Sequence, residues 1–350
     1  MEHSISPQKP CKDIEKRIKQ RKTKEILFNN IKKQLTSQYC PINLSELRNF
    51  CYYGFCLDEM RPSLWKLFLN YHIKNKFKND QLIKEKRKVY KEYLNKAIES
   101  LCSEPSIDKV LSNDVDRTIV NPLVTVVKNE ESRHCYFLDS LMKYNNRKSL
   151  HRDAIKRILL TYKVTNSGIG YVQGMNWVVL PIYYVFATSE CVEDVKYAEE
   201  DTYFCFFNLM TEIGENFVDK FDYDLKLGIR NKIRDVFVKL KYFDPKLYLH
   251  IKKIGLMDNL FPFKWIALLF AQDFKIHEIV YLWDRFLSDC NRFEIVIFCC
   301  VAVLIKLRKF LMANDHDICM EKLQRNDKIN PEEMFVLADE LRRQFYEKKK

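Results

Sequence analysis

The sequence is poor in the features that mark membrane-spanning, secreted and β-rich proteins. Its longest apolar runs, 177–187 and 295–305, are far shorter than the roughly 20 residues that a membrane-spanning helix needs. The N-terminal residues have no apolar core, so we expect no secretory signal peptide. The chain also lacks a series of alternating strands joined by hairpin dipeptides. We therefore expect a soluble, cytoplasmic protein that is at most peripheral to endomembranes.

Metal-binding cysteine motifs are also missing, although the chain has twelve cysteines. None of them forms a Cys-x-x-Cys pair, which is the spacing typical of zinc sites. Cys205 and the pair Cys299-Cys300 lie among apolar residues. We interpret them as small buried side chains in a reducing compartment, and we expect no metal site.

The residues that are present indicate a helical globular protein. Apolar residues make up 47% of the chain, which excludes a mainly disordered protein. Long stretches repeat apolar residues with the helical period of 3.6 and predict helices over 12–36, 81–102, 151–163 and 176–187. Pro105 is expected to end the second of these, and a short polar element is expected to follow it. Further helices are predicted in the second half, with the very apolar stretch 293–311 in a central position. The predicted fold class is all-α.

The charge of the chain leaves two kinds of surface contact open. Its net charge is +12, and many lysines lie near the two ends, within 9–33 and at 348–350. Such segments can contact nucleic acid or an anionic membrane, or they can be solvated helix faces and tails. The sequence has no motif of the known nucleic-acid-binding modules, so we expect no nucleic-acid partner. Membrane contact by the helix predicted at 12–36 stays possible.

Scarce glycines mark one stretch for attention. Three of the seven glycines of the chain lie within 168–174, between two predicted helices, and Gln173 and Asn176 accompany them. Glycine is used where the backbone needs a positive φ or approaches another group closely. The stretch is either a plain turn, in which Asn176 caps the next helix, or a loop that presents amide groups for function.

Two other short patterns combine charge with helical spacing. Asp114 and Arg117 are three residues apart and share a helical face, so the acid can orient the guanidinium; alternatively they form an exposed pair worth under about 1 kcal/mol. Arg61 and Trp65 are four residues apart at the start of a helix that contains Pro62. We expect Trp65 to belong to the core.

Taken in chain order, these patterns resemble the TBC domain of Rab GTPase-activating proteins. The resemblance covers about residues 40–345. It rests on Arg61-x-x-x-Trp65, Leu111-x-x-Asp114-x-x-Arg117, Tyr171-x-Gln173-Gly174-Met175-Asn176 and Trp283-Asp284. The stretches 168–176 and 289–293 are most similar to the branch typified by TBC domain family member thirteen.

The resemblance implies a two-lobed all-helical domain that accelerates GTP hydrolysis on a Rab-family GTPase and so regulates vesicle trafficking. Arg117 matches the catalytic arginine of the family and Gln173 its catalytic glutamine. Asp114, Tyr171, Gly174 and Asn176 would support them, and the motif of Arg61, Trp65, Trp283 and Asp284 would be structural. We expect an N-terminal basic extension over 1–36, a lobe over 37–195 that carries both fingers, and a second lobe over 196–345.

The resemblance also fixes the expected partner. The partner would be a Rab in its GTP state, and it would bind the GTP and Mg²⁺, so the chain needs no cofactor of its own. The alternative is a Rab-binding scaffold or effector without catalytic effect.

The sequence departs from the family pattern in three places. Gly54-Phe55-Cys56 replaces the usual Gly-x-Pro, and Tyr281 replaces an arginine that is common two places before the Trp-Asp pair. Ile119-Val120-Asn121 replaces the aromatic approach to proline after the catalytic arginine. None of these changes removes Arg117 or Gln173, so activity is expected.

Overall fold

The structure is a computed structural model, and it describes residues 25–37, 39–119, 147–217, 228–258, 261–324 and 329–348. Within these ranges every regular element is a helix. The first helices are α1 (25–36), α2 (Leu44–Tyr52), α3 (Arg61–Phe68), α4 (Lys76–Ser100), α5 (Pro105–Ile119), α6 (Arg147–Thr165), α7 (Met175–Ala187), α8 (Val192–Lys196) and α9 (Ala198–Ile213). The later helices are α10 (Ile229–Phe243), α11 (Pro245–Lys253), α12 (Phe263–Ala267), α13 (Ile276–Ser288), α14 (Glu294–Lys306), α15 (Arg308–Ala313), α16 (His316–Gln324) and α17 (Pro331–Glu347). Short 3₁₀ turns lie at Gly214–Phe217 and Leu256–Asp258. The predicted all-α class is confirmed.

The helices predicted from apolar periodicity are present, and one prediction was wrong. The helix predicted at 12–36 is observed over 25–36, and the rest of that range lies outside the described residues. Pro105 was expected to end the helix before it and to be followed by a short polar element. Instead, α4 ends at Ser100 and a long helix begins at Pro105. Pro105 begins the 15-residue helix α5, because proline is tolerated in the first turn, where its missing N–H has no helical acceptor to lose.

The core is continuous and is built around two apolar helices. Helix α7 is buried from Met175 to Phe186 and packs against α6, α9 and α13. Helix α14 is buried from Ile295 to Leu304 and packs against α10, α12 and α17, as its composition predicted. Across the parts of the chain that are described, no helix combines the length and apolarity needed to cross a bilayer.

Buried charges tie the acidic stretch after α7 to the first helices. Asp201 is completely buried and accepts hydrogen bonds from Lys66 (2.7 Å), Tyr71 (2.6 Å) and Arg87 (2.8 Å). Asp194 accepts a second bond from Lys66 at 2.6 Å. These two acids therefore anchor α8 and α9 to the first helices. Helix α9 packs mainly against α4, α6 and α7, and the lobe boundary at 195 stays a prediction.

The Trp65 indole is central to the contact between α3 and α13. It has no exposed surface, stacks on Trp283 with 5.9 Å between ring centroids, and donates from Nε1 to Asp284 Oδ1 at 2.7 Å. We expect Trp65→Ala to lower the free energy of unfolding by about 3–5 kcal/mol, because truncation leaves a cavity and an unpaired acceptor. Urea denaturation measures this. Tyr53→Ala, at a residue that is 68% exposed, is the control and should have a much smaller effect. A Trp65→Ala protein as stable as wild type would contradict the core assignment.

Candidate functional site

The end of α5 carries one buried and one exposed charge. Asp114 and Thr118 are buried on the face of α5 that packs against α6 and α7. Arg117 lies three residues after Asp114, at the solvent edge of this face, and its side chain is 70% exposed. Its Nη1 atom is 3.7 Å from Oδ1 of Asp114, at the outer limit of an ion pair. The helix therefore holds the acid in the core and presents the guanidinium to solvent.

The loop between α6 and α7 depends on two glycines. Gly170 and Gly174 have φ values of 68° and 106°, which disfavour residues with a Cβ. At Gly174 a Cβ would lie 3.1 Å from Cδ2 of Leu268, so the loop also approaches the second half of the chain closely. The N-cap of α7 is Gly174, and Asn176 lies in the first turn instead of capping it. The Asn176 side chain bonds back, accepting from the Gly174 N–H at 3.1 Å.

A hydrogen-bond network joins this loop to the end of α5. The Tyr171 hydroxyl donates to Oδ2 of Asp114 at 2.8 Å. Asn176 Nδ2 donates to the backbone oxygen of Asp114 at 3.2 Å and to the Thr118 hydroxyl. Burial, together with the bond to Asp114, raises the pKa of Tyr171 well above its usual range, so the hydroxyl keeps its proton. Asp114 thus contacts Arg117 through one carboxylate oxygen and Tyr171 through the other.

Gln173 lies two residues after Tyr171 on the same loop and is exposed. Its amide makes no hydrogen bond to any residue that the structure describes. The network fixes the backbone on both sides of Gln173, through Tyr171 and Asn176, while the amide itself faces solvent. An exposed arginine and an exposed glutamine are therefore presented from two segments that share one buried carboxylate.

The other predicted motif is a buried junction between α3 and α13. Arg61 Nε donates to both oxygens of Asp284, at 3.0 and 3.1 Å. Trp65 donates to the same carboxylate, and Trp283 Nε1 donates to the backbone oxygen of Leu269 at 3.1 Å. Burial raises the pKa of Asp284 although Arg61 and Trp65 oppose the shift. The contacts of these four residues hold α3 against α13 and are buried, as expected for a structural motif.

Sequence reasoning missed Arg285. It is buried, and its guanidinium lies 3.4 Å from the centre of the Tyr281 ring. One sequence signal for Arg285 was available. Tyr281 replaces the arginine that is common in the family, and Arg285, one helical turn later, places its charge on the Tyr281 ring. Among the described residues no cluster of His, Cys, Asp and Glu has the arrangement of a metal site.

Comparison with known proteins places this geometry in a family. The model of the Rab-GTPase-TBC domain matches residues 58–312. TBC1 domain family member 13 from Mus musculus is 41% identical over 174 residues, and the match covers 50% of this chain and 43% of that protein. The chain therefore spans less than half the length of this relative.

Two solved structures share the fold. The Ypt/Rab-GAP domain of Gyp1p superimposes with a TM-score of 0.69 and 22% identity over 90% of this chain and 97% of that one. The Chlamydomonas flagellar RabGAP TBC domain gives a TM-score of 0.59 and 16% identity, over 91% and 94% of the two chains. The family model takes in most of the sequence and the helical fold recurs in both structures; the chain belongs to the Rab-GTPase-TBC domain family.

Proposed function

We propose that this chain accelerates GTP hydrolysis on a Rab-family GTPase by supplying Arg117 and Gln173 to its nucleotide site. The observation that carries the proposal is the shared carboxylate of Asp114, which contacts Arg117 and holds the loop of Gln173 through Tyr171. A scaffold has no need to fix two exposed polar side chains in this way. The similarity to TBC1 domain family member 13 and to the domain of Gyp1p supports the proposal.

The proposed role of Arg117 follows from the charge that develops during phosphoryl transfer. Negative charge is spread over the γ-phosphoryl oxygens and the leaving oxygen. A guanidinium is permanently charged and donates through a rigid planar fork, so it can bind two of these oxygens at once. The exposed position of Arg117 lets it enter a partner, and Asp114 limits its directions without burying it.

The proposed role of Gln173 is to orient the attacking water. Its amide oxygen can accept a hydrogen bond from the water while its amide nitrogen donates one to the phosphoryl group. A carboxylate at this position would face the phosphates with like charge. The GTP and Mg²⁺ belong to the partner in its GTP state, and the chain contributes side chains only. A role in vesicle trafficking follows from a Rab substrate.

The test uses Gln173→Ala and a Rab whose own switch glutamine is replaced by leucine. Single-turnover hydrolysis is first screened with wild-type protein over a panel of Rab GTPases to find the responsive one. If Gln173 orients the water, wild-type protein still stimulates the Gln→Leu Rab, and Gln173→Ala stimulates neither form. Gln81→Ala, at an exposed glutamine of α4, is the matched control and should act as wild type. Full stimulation by Gln173→Ala, or no response of the Gln→Leu Rab, would show that Gln173 does not have this role.

Membrane contact by the basic residues before α2 is a separate proposal. Each Lys or Arg near an anionic leaflet contributes roughly 1 kcal/mol to binding. Helix α1 itself is largely exposed. Binding to anionic vesicles at low salt is measured with and without residues 1–36. Weaker binding without them is expected, and equal binding would contradict the membrane role.

A further inference from the structure

A cleft of about 600 Å³ lies at the junction of α3, α7 and α13. Its walls come from the turn 54–58, the end of α7 with the residues after it, and the exposed side of α13. Helix α7 begins beside the Gln173 loop and reaches the cleft at its other end, about 20 Å away for 13 residues at 1.5 Å each. The cleft is therefore separate from the proposed site of GTP hydrolysis.

Arg285 lines this cleft as a buried cation without a carboxylate partner. The residue is only 6% exposed, and no carboxylate oxygen of the described residues lies within 4 Å of it. Nη1 donates to the backbone oxygen of Tyr281 at 2.8 Å, and the Tyr281 side chain also interacts with the guanidinium. Burial lowers the pKa of Arg285, although Tyr281, Asp284 and Glu332 oppose the shift. A buried charge normally recovers its desolvation cost from a counter-ion.

The backbone beside Arg285 leaves room for the guanidinium. Gly54 follows the C-cap residue of α2 and has a φ of 84°. Its N–H donates to the Cys51 oxygen at 3.0 Å. The next N–H, of Phe55, donates to the Phe50 oxygen at 3.1 Å, which completes a Schellman motif. A Cβ at position 54 would lie 2.4 Å from Nη2 of Arg285. Glycine at this helix end therefore leaves the space that the guanidinium occupies.

The acids of the cleft are occupied or exposed. Asp284 accepts from Arg61 and Trp65, and Asp58 pairs with Arg61. Glu190 is exposed and screened by water. Of the two arginines in the cleft, Arg61 is engaged by carboxylates and Arg285 is not.

We propose that this cleft binds a small molecule carrying a carboxylate or phosphate group, with Arg285 as the residue that recognises the anion. The planar guanidinium still has donors that suit the paired oxygens of such groups. The volume of the cleft lies in the range of small-molecule sites. The stacking of Arg285 on Tyr281 holds the fork in place before the ligand arrives.

The test measures anion binding to the full chain. Sodium phosphate, pyrophosphate, succinate and citrate are titrated by calorimetry against chloride at equal ionic strength, and thermal unfolding is followed in parallel. We expect saturable one-to-one binding of at least one of these anions and an affinity at least tenfold lower in Arg285→Met. Arg285→Lys, which keeps the charge without the fork, should also bind weakly. Arg343→Met, at an arginine whose side chain is 66% exposed, is the matched control and should bind as wild type.

A second measurement on wild-type protein covers the case in which Arg285→Met does not fold. Hydrogen exchange with and without the bound anion should show protection in 54–58 and 277–285. Protection elsewhere, no binding above the chloride control, or equal binding by a folded Arg285→Met would overturn the proposal.

Discussion

Arg117→Ala is expected to lower the stimulated rate of GTP hydrolysis by about 10³–10⁵, the usual contribution of an arginine supplied in trans. The side chain is 70% exposed and, among the described residues, pairs only with Asp114, so its removal should leave the fold intact. Arg117→Lys should also be poor, because an ammonium cannot reproduce the planar fork. Single-turnover hydrolysis on the responsive Rab measures both.

The control for this experiment is Arg343→Ala, at an arginine of similar exposure on α17. It should stimulate as wild type, and circular dichroism should show the same helix content and melting temperature for all variants. If Arg117→Ala stimulates normally, the GTPase-activating proposal falls and a Rab-binding scaffold becomes the better description.

The second large effect is expected at the buried charges of α3 and α9. Asp201→Asn should lower the free energy of unfolding by about 3–5 kcal/mol, because it leaves Lys66 and Arg87 less compensated in the core. Adding Lys66→Met should recover part of the loss by removing one buried cation. Glu59→Gln is the control, since Glu59 pairs with Lys32 at the surface and should contribute under about 1 kcal/mol. Urea denaturation measures these free energies of unfolding. A value for Asp201→Asn within about 1 kcal/mol of wild type would contradict the prediction.

The interaction of Asp201 with Lys66 and Arg87 should also make the free energy of unfolding depend on pH. Burial would raise the pKa of Asp201, but bonds from Arg87 and Lys66 outweigh it and the pKa lies below its usual value. The stabilisation is therefore present above the unfolded-state pKa of about 3.9 and is lost as pH falls through the lower folded value. Acid titration of the unfolding free energy should show this loss in wild type and less of it in Asp201→Asn.

The sequence predicted the helices well because their apolar periodicity is strong and local. It predicted the family because Arg61, Asp114, Arg117 and Gln173 keep their order and spacing along the chain. It did not predict α5 at its full length, since Pro105 has the same appearance at the end of one helix and at the start of the next. The successful predictions therefore rest on patterns within short stretches of sequence, and the failure at Pro105 arose where such a pattern was ambiguous.

Long-range polar contacts were the main part that the sequence could not give. The partners of Asp201 come from α3 and α4, and one residue of an acidic stretch gives no sign of which cations will reach it. The link from Tyr171 to Asp114 was also hidden, because each residue was assigned to its own motif. Tyr281, one turn before Arg285, was a local signal for this residue, but its burial could not be inferred because it also depends on distant residues such as Gly54.

The carboxylate shared by Arg117 and the Gln173 loop has a consequence for the entropy of binding. Because Tyr171 and Asn176 tie the loop to α5 before any partner is present, the entropy of ordering these segments is lost during folding. Under the proposed function, a partner GTPase would meet two side chains whose backbones are already fixed, and only their outer rotamers would remain to be ordered. Binding free energy that would otherwise order the loop would then be available to stabilise the proposed transition state.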